Sequence, residues 1–164
     1  MNRLCDNFLK TQKYVDYCVV VSAGTAIFCS TIMVFVQVIF RYILEDSLSW
    51  SEELLRYVLI WSVFLSAGYV LARGEHTCLD IGLTTLAPKL RYHLECISVT
   101  LMFFFGGLLL RYGITYAQYG SRQKSSALQI PMSWIYIAIP IGGALIMYYC
   151  IIMFIKIQRD RSAQ

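Results

Sequence analysis

The stretch SLSWSEELLRYVLIWSVFLSAGYVLA, Ser47 to Ala72, sets two carboxylates and an arginine at the mouth of a long apolar run. From Tyr57 to Ala72 it carries no charge. Extended back to Glu53, it reaches the ~20 residues, at ~1.5 Å each, that cross a hydrocarbon core of about 30 Å. Three other runs share this character: Tyr17 to Phe40, Cys96 to Tyr119 with Arg111 as its interruption, and Ala127 to Ile155. Backbone groups in lipid must pair within their own segment, so the runs read as helices and not as open strands. The expected fold is an all-α integral membrane protein with four transmembrane helices. The approximate spans are 17–40, 50–72, 92–119 and 131–155, within a single membrane domain covering residues 1–164.

Composition agrees with this reading. Apolar residues make up 58% of the chain and mean hydropathy is +0.59, against about 45–50% apolar content in soluble domains. The formal net charge of +4 reads as a topology signal and does not call for nucleic acid. Arg3, Lys10, Lys13, Arg73, Lys89, Arg91, Lys156, Arg159 and Arg161 fall on one side of the expected membrane, and Arg41, Arg56, Arg111, Arg122 and Lys124 on the other. The excess of basic residues on the first side places both termini in the cytoplasm. The first apolar run is too long for a signal-peptide core and its start carries Asp6 and Asp16, so the first helix is expected to stay in the mature protein.

The connections between spans are unequal. Ser49 and Glu52 have the spacing of a capping box, which starts the second helix at about Trp50. Between Arg73 and Ala87, the spacing of Leu79, Leu83, Leu86 and Leu90 suggests a short interfacial helix, weakened by Gly82 and closed by Pro88. From Pro88 to Tyr119 the third helix reaches about 48 Å at ~1.5 Å per residue, so it must tilt or project. Gly120 to Gln129 reads as a polar loop that needs no function. Pro131 suits the first turn of the fourth helix, and Pro140 is expected to kink its interior. Trp50, Trp134 and Tyr136 fit an interfacial aromatic belt.

Two polar clusters are candidates for function. Glu52 and Glu53 lie four and three residues before Arg56 on one helix, so both carboxylates are within reach of its guanidinium, and Arg41 lies across a short turn. The balanced charges suit a structural or partner-facing cluster at an interface better than proton or ion handling. The second cluster, RGEHTCLD (Arg73 to Asp80), puts His76 and Asp80 four residues apart, a spacing for fixing a histidine tautomer. One histidine and one acid fall short of a metal site. The six cysteines form no C-x-x-C pair and read as small hydrophobes. His76 and His93 fall in or beside the connection between helices two and three, which disfavours axial haem ligation inside the bundle. Gly106, Gly107, Gly142 and Gly143 read as close helix packing, as does the small stretch Ser66, Ala67, Gly68.

The segment Phe40 to Asp80, FRYILEDSLSWSEELLRYVLIWSVFLSAGYVLARGEHTCLD, resembles the signature region of the small membrane subunit, DctQ type, of tripartite ATP-independent periplasmic (TRAP) transporters. Ser125 to Leu145, SSALQIPMSWIYIAIPIGGAL, resembles the fourth-helix pattern of that family. The resemblance implies a non-enzymatic scaffold subunit in the bacterial inner membrane that binds no cofactor of its own. It implies a large membrane subunit as partner, which carries the sodium sites, and a periplasmic binding protein that delivers an organic acid, with membrane lipid around the complex and no nucleic acid. Arg41, Tyr42, Trp50, Glu53, Arg56, Trp61, Arg73, His76 and Asp80 match recurring positions of the family, and Glu52 joins them through the charge cluster. Two alternatives differ in class: a membrane anchor of a quinone-linked oxidoreductase, and a stand-alone small transporter.

Overall fold

The computed structural model describes residues 2–43, 49–72 and 88–162. Its helices in chain order are α1 (Asn2–Ile43), α2 (Ser49–Ala72), α3 (Pro88–Gly120), the short α4 (Ser133–Tyr136) and α5 (Ala138–Ser162). Among the described residues, four stretches are long and apolar enough to cross a membrane: Gln12–Ile43, Ser49–Leu71, His93–Gly120 and Ser133–Ile155. The chain is a multi-pass, all-helical membrane protein, as the hydropathy pattern requires. The α1 helix starts well before the expected span at residue 17, because the polar residues ahead of Tyr17 continue the same helix. The expected interfacial helix between α2 and α3 lies outside the described residues.

The fourth span differs in detail from the sequence expectation. Pro131 pairs with Lys124 in an isolated antiparallel bridge, and helix begins at Ser133. The helix is interrupted at Ile137, and Pro140 falls in the first turn of α5. Proline lacks the N–H that would bond one turn back, and a first turn leaves that donor unused in any case. Backbone bonds from Ile137 N–H to Ser133 O and from Ile141 N–H to Ile137 O carry the helical path across Ile137, so the interruption falls where the N–H that Pro140 lacks would have met Tyr136 O.

Helix packing centres on α5. An added Cβ at Gly143 would lie 2.8 Å from both the Gly106 carbonyl oxygen and the Leu110 nitrogen of α3, and one at Gly142 would lie 2.8 Å from the Phe64 carbonyl oxygen of α2. Adjacent glycines thus let α5 approach α2 on one side and α3 on the other. Along α3, Gly106, Gly113 and Gly120 recur every seven residues on the facing side, and Gly113 abuts Pro140 while Gly120 abuts Tyr136. Lipid chains are as apolar as leucine, so helices gain little by hiding apolar surface from them, and close backbone approach supplies the dispersion energy instead. Gly68 completes the seam against the ring of Tyr149. A small apolar core of Leu71, Val99, Ile146 and Cys150 fills the half of the bundle away from the α3–α4 connection.

Replacing Gly143 with valine should lower the thermal midpoint of the detergent-solubilised protein, with a cost of about 1–3 kcal/mol because the obstructing atoms are backbone. Replacing Gly107, whose Cβ would meet nothing within 4 Å, with alanine should leave the midpoint unchanged or slightly raised. Equal effects of the two substitutions in a thermal melt would contradict the seam.

Candidate functional site

At the start of α2, Glu53 turns away from Arg56 and toward the connection between α3 and α4. One carboxylate oxygen, Oε1, accepts a hydrogen bond from the Tyr57 hydroxyl. The other, Oε2, accepts from the backbone N–H groups of Ala127 and Leu128, each at 2.9 Å. Successive amides that converge in this way form a small anion-binding concavity, here filled by a side chain of the same protein. Hydrogen bonds to an ionised acceptor are stronger than neutral ones, so one residue fastens a loop more than seventy positions away in sequence.

The loop is shaped to present those amides. Ser125 N–H donates to Ile130 O at 2.9 Å and Met132 N–H to Gln123 O at 3.0 Å, which closes a narrow hairpin. Gln129 holds φ at 55°, a left-handed conformation uncommon for a residue with a Cβ, and its side-chain amide donates to Ser126 O at 3.1 Å. Tyr57 also lies 3.6 Å from the Met132 sulfur, and Ser51 and Ser125 are 1% and 2% exposed. The Ser125 hydroxyl lies beside the Glu53 carboxylate. Its geometry falls outside a hydrogen bond, and the buried Oγ has no bonded partner among the described residues.

Glu52 serves a different contact. Its Oε1 accepts a hydrogen bond from Gln37 Nε2 of α1 at 3.0 Å, which ties α1 to the start of α2. The expected pairing of both carboxylates with Arg56 is therefore replaced by contacts to other elements, and Arg56 is exposed. Arg41 lies exposed in the last turn of α1, favourably placed against the helix dipole. Tyr42 and Trp50 are exposed at 76% and 42%. Trp61 lines a lateral apolar cleft of about 400 Å³ between α1, α2 and α4. Arg73, His76 and Asp80 lie outside the described residues.

A second polar tie escaped the sequence reading. The Tyr149 hydroxyl of α5 donates to Asp16 Oδ1 of α1 at 2.6 Å, and Tyr149 is 0% exposed. The neighbouring Tyr148 ring meets Tyr149 edge-on at 5.5 Å. Counting the first apolar run from Tyr17 put Asp16 outside it. The signal that was present is an acid directly abutting that run, with a tyrosine pair in the last one.

Two measurements test these ties. Glu53→Ala removes both acceptor oxygens, so hydrogen exchange at Ala127 and Leu128 should quicken about ten-fold or more, with a smaller change for Tyr57→Phe. Unchanged exchange in the alanine variant would rule out the latch. For the second tie, a double-mutant cycle of Asp16→Ala and Tyr149→Phe should show a coupling of about 1 kcal/mol in thermal or denaturant unfolding. Additive losses would mean that the bond contributes nothing to holding α1.

The pattern of the family described as "Tripartite ATP-independent periplasmic transporters, DctQ component" matches residues 30–160. The chain is 28% identical over 105 residues to the C4-dicarboxylate TRAP transporter small permease protein DctQ of Rhodobacter capsulatus, a match covering 62% of this chain and 46% of that protein. It is 24% identical over 156 residues to a putative TRAP transporter small permease protein of Haemophilus influenzae, covering 92% and 90%. The sialic acid TRAP transporter small permease protein SiaQ of Vibrio cholerae is 24% identical over 109 residues, covering 66% of this chain and 62% of its own length. The alignment thus spans less than half of the first relative and nearly all of the second. Because the family pattern takes in most of the chain, including the latch glutamate, its loop and the glycine seam, the protein belongs to the DctQ component family of tripartite ATP-independent periplasmic transporters.

Proposed function

We propose that this chain is the small scaffold subunit of a sodium-coupled secondary transporter, which imports an organic acid delivered by a periplasmic binding protein and works with a separate large membrane subunit. Membership of the DctQ family carries the reading, and the use of the acidic residues supports a bracing role. Glu53, Glu52 and Asp16 each hold one element of the fold to another. A carboxylate committed in this way holds structure and is poorly placed to exchange protons or sodium, for which transporters use polar groups near the bilayer centre. The chain itself is then neither an enzyme nor a cofactor carrier, and the sodium sites belong to the large subunit. The matches give no support to an oxidoreductase anchor.

In this reading the protein lies in the bacterial inner membrane with both termini cytoplasmic, because basic residues are in excess on that side. The latched loop then faces the periplasm, where the binding protein arrives. The names of the relatives point to C4-dicarboxylates and sialic acid as first substrates to try.

Sodium-driven uptake of a carboxylate panel into proteoliposomes, each with the binding protein, should appear with the pair of membrane subunits and not with this chain alone. Full-rate uptake by the large subunit alone would overturn the scaffold reading, and uptake by this chain alone would replace it with a stand-alone transporter. Orientation has its own test: a fluorescent protein fused to the C-terminus should fold and fluoresce in cells, and a dark fusion of normal abundance would reverse the topology.

A further inference from the structure

Arg111, which the sequence reading set at the outer end of its helix, lies nine residues inside the Gly120 end of the His93–Gly120 span, with its side chain exposed. Its depth follows from its neighbours: Gly113 abuts Pro140, and Gly143 abuts the Leu110 nitrogen, so Arg111 is level with the stretch 140–143, close to the midpoint of the Ser133–Ile155 span. Along α3 it lies about 13 Å in from Gly120, at ~1.5 Å per residue. Every acidic side chain described is placed elsewhere. Asp16 bonds Tyr149, Glu52 bonds Gln37, Glu53 holds the loop, and Glu95 is more than four turns away on α3.

The surroundings of Arg111 form a stripe. Thr115 and Gln118 follow it at helical spacing, both exposed, and Leu108 precedes it at 44% exposure. With 3.6 residues per turn, Arg111 and Thr115 point away from Gly106 and Gly113, so the stripe lies opposite the glycine seam that binds α3 to α5. Facing lipid, an uncompensated guanidinium at this depth is costly, because even a long side chain must reach a distant headgroup. A second copy of the chain docked about a two-fold axis would set Arg111 toward Arg111, like charge against like. A neighbouring protein that offers an acceptor at that depth satisfies it.

We propose that the Arg111–Thr115–Gln118 stripe of α3 is the face that docks a transmembrane helix of the large subunit, and that this helix presents a carboxylate to Arg111. The proposal rests on the small-subunit reading above and adds the docking face and its chemistry. A charge-assisted pair inside the membrane fixes the depth and rotation of one helix against another, which apolar contacts alone leave free to slide.

The test places a photo-crosslinking benzoylphenylalanine at Leu108 or at Thr115 in the tagged chain, co-expressed with the large subunit and irradiated in native membranes. A covalent product with the large subunit is expected from both positions. Products with lipid alone, or with a second copy of this chain, would overturn the proposal. A probe at Phe28 of α1, 67% exposed, separates the two readings. If the large subunit co-purifies, or is captured from Phe28, without capture from 108 or 115, the docking face falls and the small-subunit function stands. If it fails to co-purify at all, both fall. In parallel, Arg111→Leu should reduce co-purified large subunit about ten-fold, while Arg111→Lys retains it within about two-fold; recovery with leucine equal to the unmodified chain would show that the arginine has no docking role.

Discussion

Approach of α5 to both α2 and α3 through Gly142 and Gly143 is the contact on which the remaining structure depends. In water, a helix of this composition would bury its apolar surface wherever it fitted. In a bilayer that drive is absent, and association depends on backbones coming close enough for many weak contacts and on polar groups finding partners. The adjacent glycines supply the first in two directions at once. The heptad of glycines on α3 extends it over two turns on either side of Gly113 and carries it to the end of the bundle, where Gly120 meets Tyr136. There the chain turns into the hairpin that Glu53 captures, so the seam delivers the loop to the latch.

The seam also explains why the latch uses a carboxylate. A hairpin of this kind has amides at its tip that no helix or strand satisfies. A glutamate on the neighbouring helix meets two of them with one side chain and uses its second oxygen for Tyr57. Such an arrangement is rigid, because shifting the loop removes several charge-assisted bonds together. A rigid rim on a subunit whose task is bracing is consistent with the scaffold role proposed above.

The helices were legible in the sequence because a span in lipid needs only length and apolarity, and neither depends on tertiary context. The glycine pairs were legible for the same reason, although Gly107 proved to face open space while Gly106 packs. Glu53 was singled out, but its partners were not, because reasoning along one helix reaches only three or four residues and the true partners lie across the bundle in a loop read as functionless. Pro140 showed the same limit. Its effect is confined to the hydrogen bond that Tyr136 O would have received, while the bonds on either side of it across Ile137 persist. Asp16 was lost through a boundary drawn one residue too late.

The position of Asp16 clarifies how α1 is held. That helix lacks the glycine seam and packs chiefly on α2, with aromatic side chains such as Phe28 and Phe35 exposed at 67% and 68%. Its cross-helix side-chain bonds include those at Asp16, to Tyr149, and at Gln37, to Glu52. Those two positions are about 32 Å apart along the helix at ~1.5 Å per residue, close to the thickness of the hydrocarbon core. Each tie therefore falls near an edge of the membrane, where a polar group costs least to place, and the stretch between them needs only apolar contact. The helix is pinned at both ends and left smooth in the middle. Arg111 departs from that rule, since it puts a charge at mid-depth with no acidic partner among the described residues, which is why the docking face is assigned to α3 and not to the more exposed α1.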